Sequence, residues 1–123
     1  MSLARISLGK RGEELACREL ERRGYAIVAR RFRVRGGELD IVARDGPALV
    51  FVEVKTRAGR LFGDAAEAVT PLKQWRMTRL ANDYLLRHPA PGCPCRFDVV
   101  SIHFDGDHAT VNVYRSAFDA LEG

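Results

Sequence analysis

Apolar and polar positions along the chain alternate with two different periods, which divide it into two helical and five extended stretches. Ser7 is placed to cap a helix running from Gly9 to about Arg23 and stopped by Gly24. Ala16 and Leu20 share one stripe of that helix, and Glu13 falls on the same stripe, so an acid is aligned with apolar neighbours. Tyr25–Val34 is rich in β-branched and aromatic residues and predicts a strand, turned by Arg35-Gly36-Gly37. Glu38–Ala43 and Ala48–Thr56 predict a hairpin around Arg44-Asp45-Gly46-Pro47, where Asp-Gly is a strong turn signal. Thr70 and Pro71 supply a cap and a first-turn proline for a second helix. It extends to about Arg87, its core face being Met77, Leu80, Ala81, Tyr84 and Leu85. Arg96–Phe104 and His108–Tyr114 form another hairpin around Asp105-Gly106-Asp107, followed by a short tail expected to be helical. The order is α-β-β-β-α-β-β. A strand that returns after the long helix needs a crossover, so the expected fold is α/β, with a central mixed sheet flanked by helices.

Composition narrows the class. A chain of 123 residues with 46% hydrophobic and 29% charged residues fits a single globular domain, 1–123, and excludes a disordered or fibrous chain. No apolar run approaches the roughly 20 residues that a membrane-spanning helix needs. Met1–Ser7 lacks an apolar core of signal-peptide length, and three cysteines without a zinc spacing suit a reducing compartment. A cytoplasmic protein without a membrane partner is expected. The net charge of +4 is unevenly spread: residues 1–37 hold 10 Lys/Arg against 4 Asp/Glu. Arg22, Arg23, Arg30, Arg31, Arg33 and Arg35 crowd into one short stretch. Guanidinium groups suit phosphate oxygens, so Arg30, Arg31 and Arg33 are candidate contacts for a nucleic acid, against the alternative of a solvated basic surface.

Chemistry concentrates around the first hairpin. Ala48–Val54 is apolar on both pleat faces except at Glu53, and Lys55 shares the Glu53 face. A carboxylate at the end of a buried strand is costly without a cation. A two-residue loop at Asp45-Gly46, or a four-residue loop, pairs Ala43 with Ala48 and Asp40 with Phe51, placing Asp40 one diagonal step from Glu53 on the same face. An odd-length loop would send it to the opposite face. Two rigid carboxylates suit Mg²⁺, or Mn²⁺ in its place, with the backbone carbonyl of Val54 as a third ligand.

Glu13, Gly37-Glu38-Leu39-Asp40 and Phe51-Val52-Glu53-Val54-Lys55-Thr56-Arg57 together resemble the PD-(D/E)xK nuclease superfamily. Gly9-Lys10-Arg11-Gly12-Glu13, Phe62-Gly63, Ala68-Val69, Lys73 and Arg96–Val100 extend the resemblance to its small bacterial YraN-like family, over nearly the whole chain. Leu39-Asp40 stands where the superfamily's name has proline-aspartate. The resemblance implies a restriction-endonuclease-like core, similar also to archaeal Holliday-junction resolvases. It implies a metal-dependent endonuclease that hydrolyses phosphodiester bonds, on DNA rather than RNA, with branched or structured DNA among the candidate substrates. Asp40 and Glu53 would bind the metal, Lys55 would orient the attacking water, and Glu13 would hold a metal-bound water or a second ion.

Competing readings stand beside these. Glu53 and Lys55 alone would more often be an ordinary ion pair, and Asp40 with Glu13 is what shifts the balance. Glu13 serves equally well as a counter-charge to the positive end of its helix. Arg57 and Arg60 follow the candidate catalytic strand and are placed to clamp a backbone phosphate. Lys73 sits in the first turn of the second helix, where anions are attracted, although a solvated helix start is the simpler role. Paired cuts would require a homodimer. The alternative to an enzyme is a nucleic-acid-binding or adaptor module that keeps the fold without the chemistry.

Overall fold

The computed structural model describes residues 3–59 and 69–120, with side chains from residue 8 onward. Helix α1 (Leu3–Arg22) is followed by β1 (Ala26–Val34), β2 (Gly37–Asp45) and β3 (Ala48–Ala58). Helix α2 (Pro71–Arg87) then leads to β4 (Cys95–Asp105) and β5 (His108–Phe118). The five strands form one sheet in chain order. Only β3 and β4 run parallel, with α2 between them in the chain, so the mixed sheet expected from the order of elements is present. One apolar layer joins Ala16 and Leu20 of α1 to Ile41, Val50, Val52 and Val100. A second joins Met77, Leu80, Ala81 and Tyr84 of α2 to Leu39, Val42, Phe51 and Phe97. The two helices pack against separate sets of sheet residues, which is why β3 is apolar on both pleat faces.

Three boundaries differ from expectation. Helix α1 begins at Leu3, so Ser7 lies inside it and is not its cap; Leu3, Ala4 and Arg5 are strong helix formers and nothing before Gly9 interrupts them. Strand β5 continues to Phe118 where a helical tail was expected. Phe118 stacks on Phe97, and Ser116, with φ at +52°, donates its N–H to buried Asp98, so tertiary contacts extend the strand. The β2–β3 register is also displaced. Gly46 and Pro47 form the loop, Asp45 pairs with Ala48 and Ala43 with Val50. Proline has no N–H for a ladder, so the loop takes it in.

The C-terminus of α1 and the N-terminus of α2 are both capped. Gly24 takes a left-handed φ of +95° and donates to the Glu21 carbonyl, while Tyr25 donates to the Leu20 carbonyl. This is a Schellman motif, and it delivers Tyr25 into the core beside Leu20. At the start of α2 the Thr70 hydroxyl accepts from the Lys73 N–H, with Pro71 in the first turn, as the sequence predicts.

Candidate active site

The β2–β3 ladder ends at Ile41↔Val52. One step further, Asp40 and Glu53 come level, and the Asp40 carboxylate replaces the ladder by accepting the Val54 N–H at 2.8 Å. The displaced register changes which residues pair but keeps their parity, so the expected meeting of Asp40 with Glu53 survives. Both line one open cleft of about 320 Å³ with Lys55, Val54 and Thr56 of β3, Gly9 and Glu13 of α1, and Lys73 of α2.

Each charged group in the cleft has a distinct setting. Burial pushes the Asp40 carboxyl up to about 7, and the neighbouring Glu53 adds to the rise, against the opposing effect of the Val54 N–H. Glu53 Oε1 lies 3.1 Å from Lys73 Nζ. The Lys55 amine is lowered from its ordinary value, first by burial and then by Lys73 and Arg57 nearby. Glu13 accepts from Arg31 Nε at 3.1 Å through either oxygen and lies 3.6 Å from Arg30 Nε.

The two arginines reach Glu13 together because the backbone is irregular there. Arg31 has φ at +54°, uncommon for a residue with a side chain. It lies across from Asp40, between the pairs Arg30↔Ile41 and Phe32↔Leu39. On β2, Leu39 and Val42 both join the layer beneath α2 although they are three apart, so the alternation slips at the same level. Asp40 is therefore held at a break in the pleat, where a side chain can turn away from ordinary pairing.

Gly12 was named in the sequence only as part of a motif, and its role is spatial. A Cβ there would overlap Thr56 Oγ1 and sit 3.1 Å from Thr56 Cβ. Its absence lets α1 approach β3 beside the cleft, which carries Glu13 to the rim.

The remaining candidates divide. Arg57 lies half-buried two residues beyond Lys55 and close enough to influence it. Val54 lines the cleft, with its N–H committed to Asp40. Arg60 and the Phe62-Gly63 segment lie outside the described residues. Lys73 does not stand at a solvated helix start; it is an ion-pair partner of Glu53. The arginine crowd is largely compensated: Arg22 and Arg23 pair with Glu19, Arg30 and Arg31 with Glu13, and Arg33 with Glu38. Asp98 is fully buried and accepts from Arg96, Tyr25 Oη and the Ser116 N–H, a structural role.

Does the cleft suit a divalent ion? Among the described residues no three His, Cys, Asp or Glu side chains cluster as a ready ligand set. Two carboxylates on adjacent strands remain, one raised by burial and by the other's charge. That chemistry fits a hard cation that keeps several waters and takes further oxygens from a phosphate substrate.

A model of the family described as "Uncharacterised protein family UPF0102" matches residues 12–102. The chain is 46% identical to a UPF0102 protein of Geobacter metallireducens, over 97% of this chain and 98% of that protein. It is 53% identical to one of Symbiobacterium thermophilum, over 77% of this chain and 80% of the relative, and 52% identical to one of Frankia alni, over 80% and 82%. No described helix is long and apolar enough to cross a membrane.

Proposed function

The chain belongs to the UPF0102 family, and from the cleft it carries we propose a divalent-metal-dependent nuclease of the PD-(D/E)xK type, acting on DNA. One observation carries the reading: Asp40, Glu53 and Lys55 line a single open cleft, with Glu53 already attracting a cation. Burial of two acids this close is unfavourable unless positive charge joins them. Mg²⁺ or Mn²⁺ would be held by Asp40 and Glu53. When bound, the ion supplies charge that polarises a phosphate oxygen and acidifies a water.

The protein's own groups do the positioning. The Val54 N–H fixes one oxygen of Asp40, leaving the other to face the cleft. Lys55, whose lowered pKa weakens its hold on its proton, orients the attacking water and offsets the negative charge that builds on the phosphoryl group. Lys73 pairs with Glu53 and would be placed at the cleft to meet a substrate phosphate. Glu13, gripped by Arg31, holds water at the rim. Among nucleic acids, DNA follows from the superfamily resemblance, and a small single domain favours reading of backbone and shape over bases.

A second reading has its own support: the Lys73–Glu53 ion pair would equally stabilise a cleft that has lost its chemistry and serves a binding or adaptor module. The two separate in one experiment. Linear, flapped and four-way DNA and RNA are incubated with Mg²⁺ or Mn²⁺ and either wild type or Glu53→Gln. The nuclease reading expects metal-dependent cleavage by wild type and a loss of at least 100-fold in Glu53→Gln. Equal cleavage by both proteins, or none on any substrate, would take the assignment away from this cleft.

A further inference from the structure

A second cavity, of about 230 Å³, lies between α2 and the β1–β2 turn, lined by Arg35, Trp75, Arg76, Arg79, Leu80 and Asp83. Its composition differs from that of the arginine crowd between Arg22 and Arg33. Among the described residues, Arg35, Arg76 and Arg79 belong to no ion pair, whereas Arg22, Arg23, Arg30, Arg31 and Arg33 each pair with a glutamate. Three guanidinium groups against the one carboxylate of Asp83 leave this cavity positive. Trp75 is 41% exposed, a large apolar surface to leave in water, and the Arg79 guanidinium lies 4.9 Å from its ring centroid.

The cavity has firm walls. Gly36 makes the turn with φ at +102°, and a Cβ on Gly37 would come within 3.2 Å of Leu80 Cδ1, so the hairpin tip lies directly on α2. Both walls also belong to elements that build the cleft: α2 carries Lys73 two residues before Trp75, and β2 leads from this turn to Asp40.

We propose that this cavity binds single-stranded nucleic acid, with an unpaired base stacked on Trp75 and backbone phosphates held by Arg35, Arg76 and Arg79. An exposed indole within a cluster of arginines matches what a single strand offers and a duplex hides: an unstacked base face beside phosphate charge. A duplex keeps its bases stacked and presents phosphates alone, which would use the arginines and leave the indole without a role. The inference does not require the cleft to be catalytic, because binding is measured without divalent ions.

Trp75 is the only tryptophan of the chain, so its emission reports on this cavity alone. In EDTA, a short thymidine oligonucleotide is titrated into wild type, beside the same strand annealed to its complement, an abasic strand of equal length, and thymidine monophosphate. The expected result is quenching by the thymidine strand at concentrations about tenfold below those at which the duplex or the abasic strand acts. Binding followed by anisotropy of a labelled strand should weaken about tenfold in Trp75→Ala and much less in Trp75→Phe. Arg76→Gln should reduce the salt dependence of binding by about one phosphate contact. Both positions are exposed, and circular dichroism verifies that the variants fold. Equal affinity for the abasic and thymidine strands, with unchanged emission, would overturn the proposal in favour of general charge attraction. Equally strong quenching by the mononucleotide would overturn it in favour of a free-nucleotide site. Equal cleavage by wild type and Glu53→Gln, or none by either, would overturn the nuclease reading, while strand binding with the expected Trp75 dependence would still support this one, so the two readings fail separately.

Discussion

Asp40 is the residue on which the cleft turns, and its environment makes a pH-dependent statement. Burial and Glu53 raise its carboxyl to about 7, above the value of an unfolded aspartate. The folded state therefore holds a proton that the unfolded chain has released. The stability this provides is complete below about pH 4 and disappears as pH rises through about 7. In metal-free buffer, Asp40→Asn should be more stable than wild type at pH 8, by about 1–3 kcal/mol, and should match it near pH 4. The amide oxygen can still accept from Val54, so the substitution tests charge and not the hydrogen bond. Mg²⁺ should raise the melting temperature of wild type at pH 8 and leave Asp40→Asn nearly unmoved. Thermal melts at several pH values, with and without the ion, check both; equal shifts in the two proteins would count against Asp40 as a ligand. Asp40, Glu53 and Lys55 were legible in the sequence because strand parity across an even-length loop puts them together. The partners of Glu53 and Glu13 were not, since Lys73 arrives from a helix 20 residues away and Arg31 through a backbone conformation that no pattern announces.

At the scale of elements, α1 contains two glycines three apart with opposite surroundings. A Cβ on Gly9 would meet nothing within 4 Å, whereas one on Gly12 would overlap Thr56. Helix propensity favours alanine at both by about 1 kcal/mol. Gly9→Ala should accordingly stabilise the protein by up to that amount. Gly12→Ala should destabilise it by about 1–3 kcal/mol, because overpacking against β3 outweighs propensity. Thr56→Ala should recover part of the loss, and a double-mutant cycle by urea unfolding measures the coupling. If the two glycine substitutions had the same sign, α1 would not be seated on β3 as described. Periodicity announced both helices and all five strands, but the β2–β3 register was drawn from the Asp-Gly signal and came out two residues away. Pro47 held the better clue. A residue without an N–H belongs in the loop, and a two-residue loop of Gly46 and Pro47 gives the observed pairing of Asp45 with Ala48.

Across the whole molecule, the sheet is tied at the hairpin end of β3, away from the cleft, by a polar network. Arg96 binds Asp98 and Asp45, Arg115 reaches Asp45, and Tyr25 Oη donates to Asp98 at 2.8 Å. These groups come from the end of α1, the β2–β3 hairpin, β4 and β5, so only the assembled fold reveals them. The same holds for charge, since composition counts arginines but does not distinguish those compensated by Glu13, Glu19 and Glu38 from those left open around Trp75. Burial, and then the bond to Asp98, push the Tyr25 phenol up to about 12, above its unfolded value near 10. The folded state retains this proton longer than the unfolded chain, so the resulting stability is complete below pH 10 and is lost as pH climbs to 12. Tyr25→Phe should cost about 1–2 kcal/mol at pH 8 through the missing hydrogen bond to a buried carboxylate. It should also flatten the decline between pH 10 and 12, so that the two unfolding curves converge at high pH. Urea unfolding across that range reads the difference directly. A gap that stayed constant or widened would mean that the phenol is not held neutral by the network, and that the ion pairs of Arg96 and Arg115 tie the sheet at this end without it.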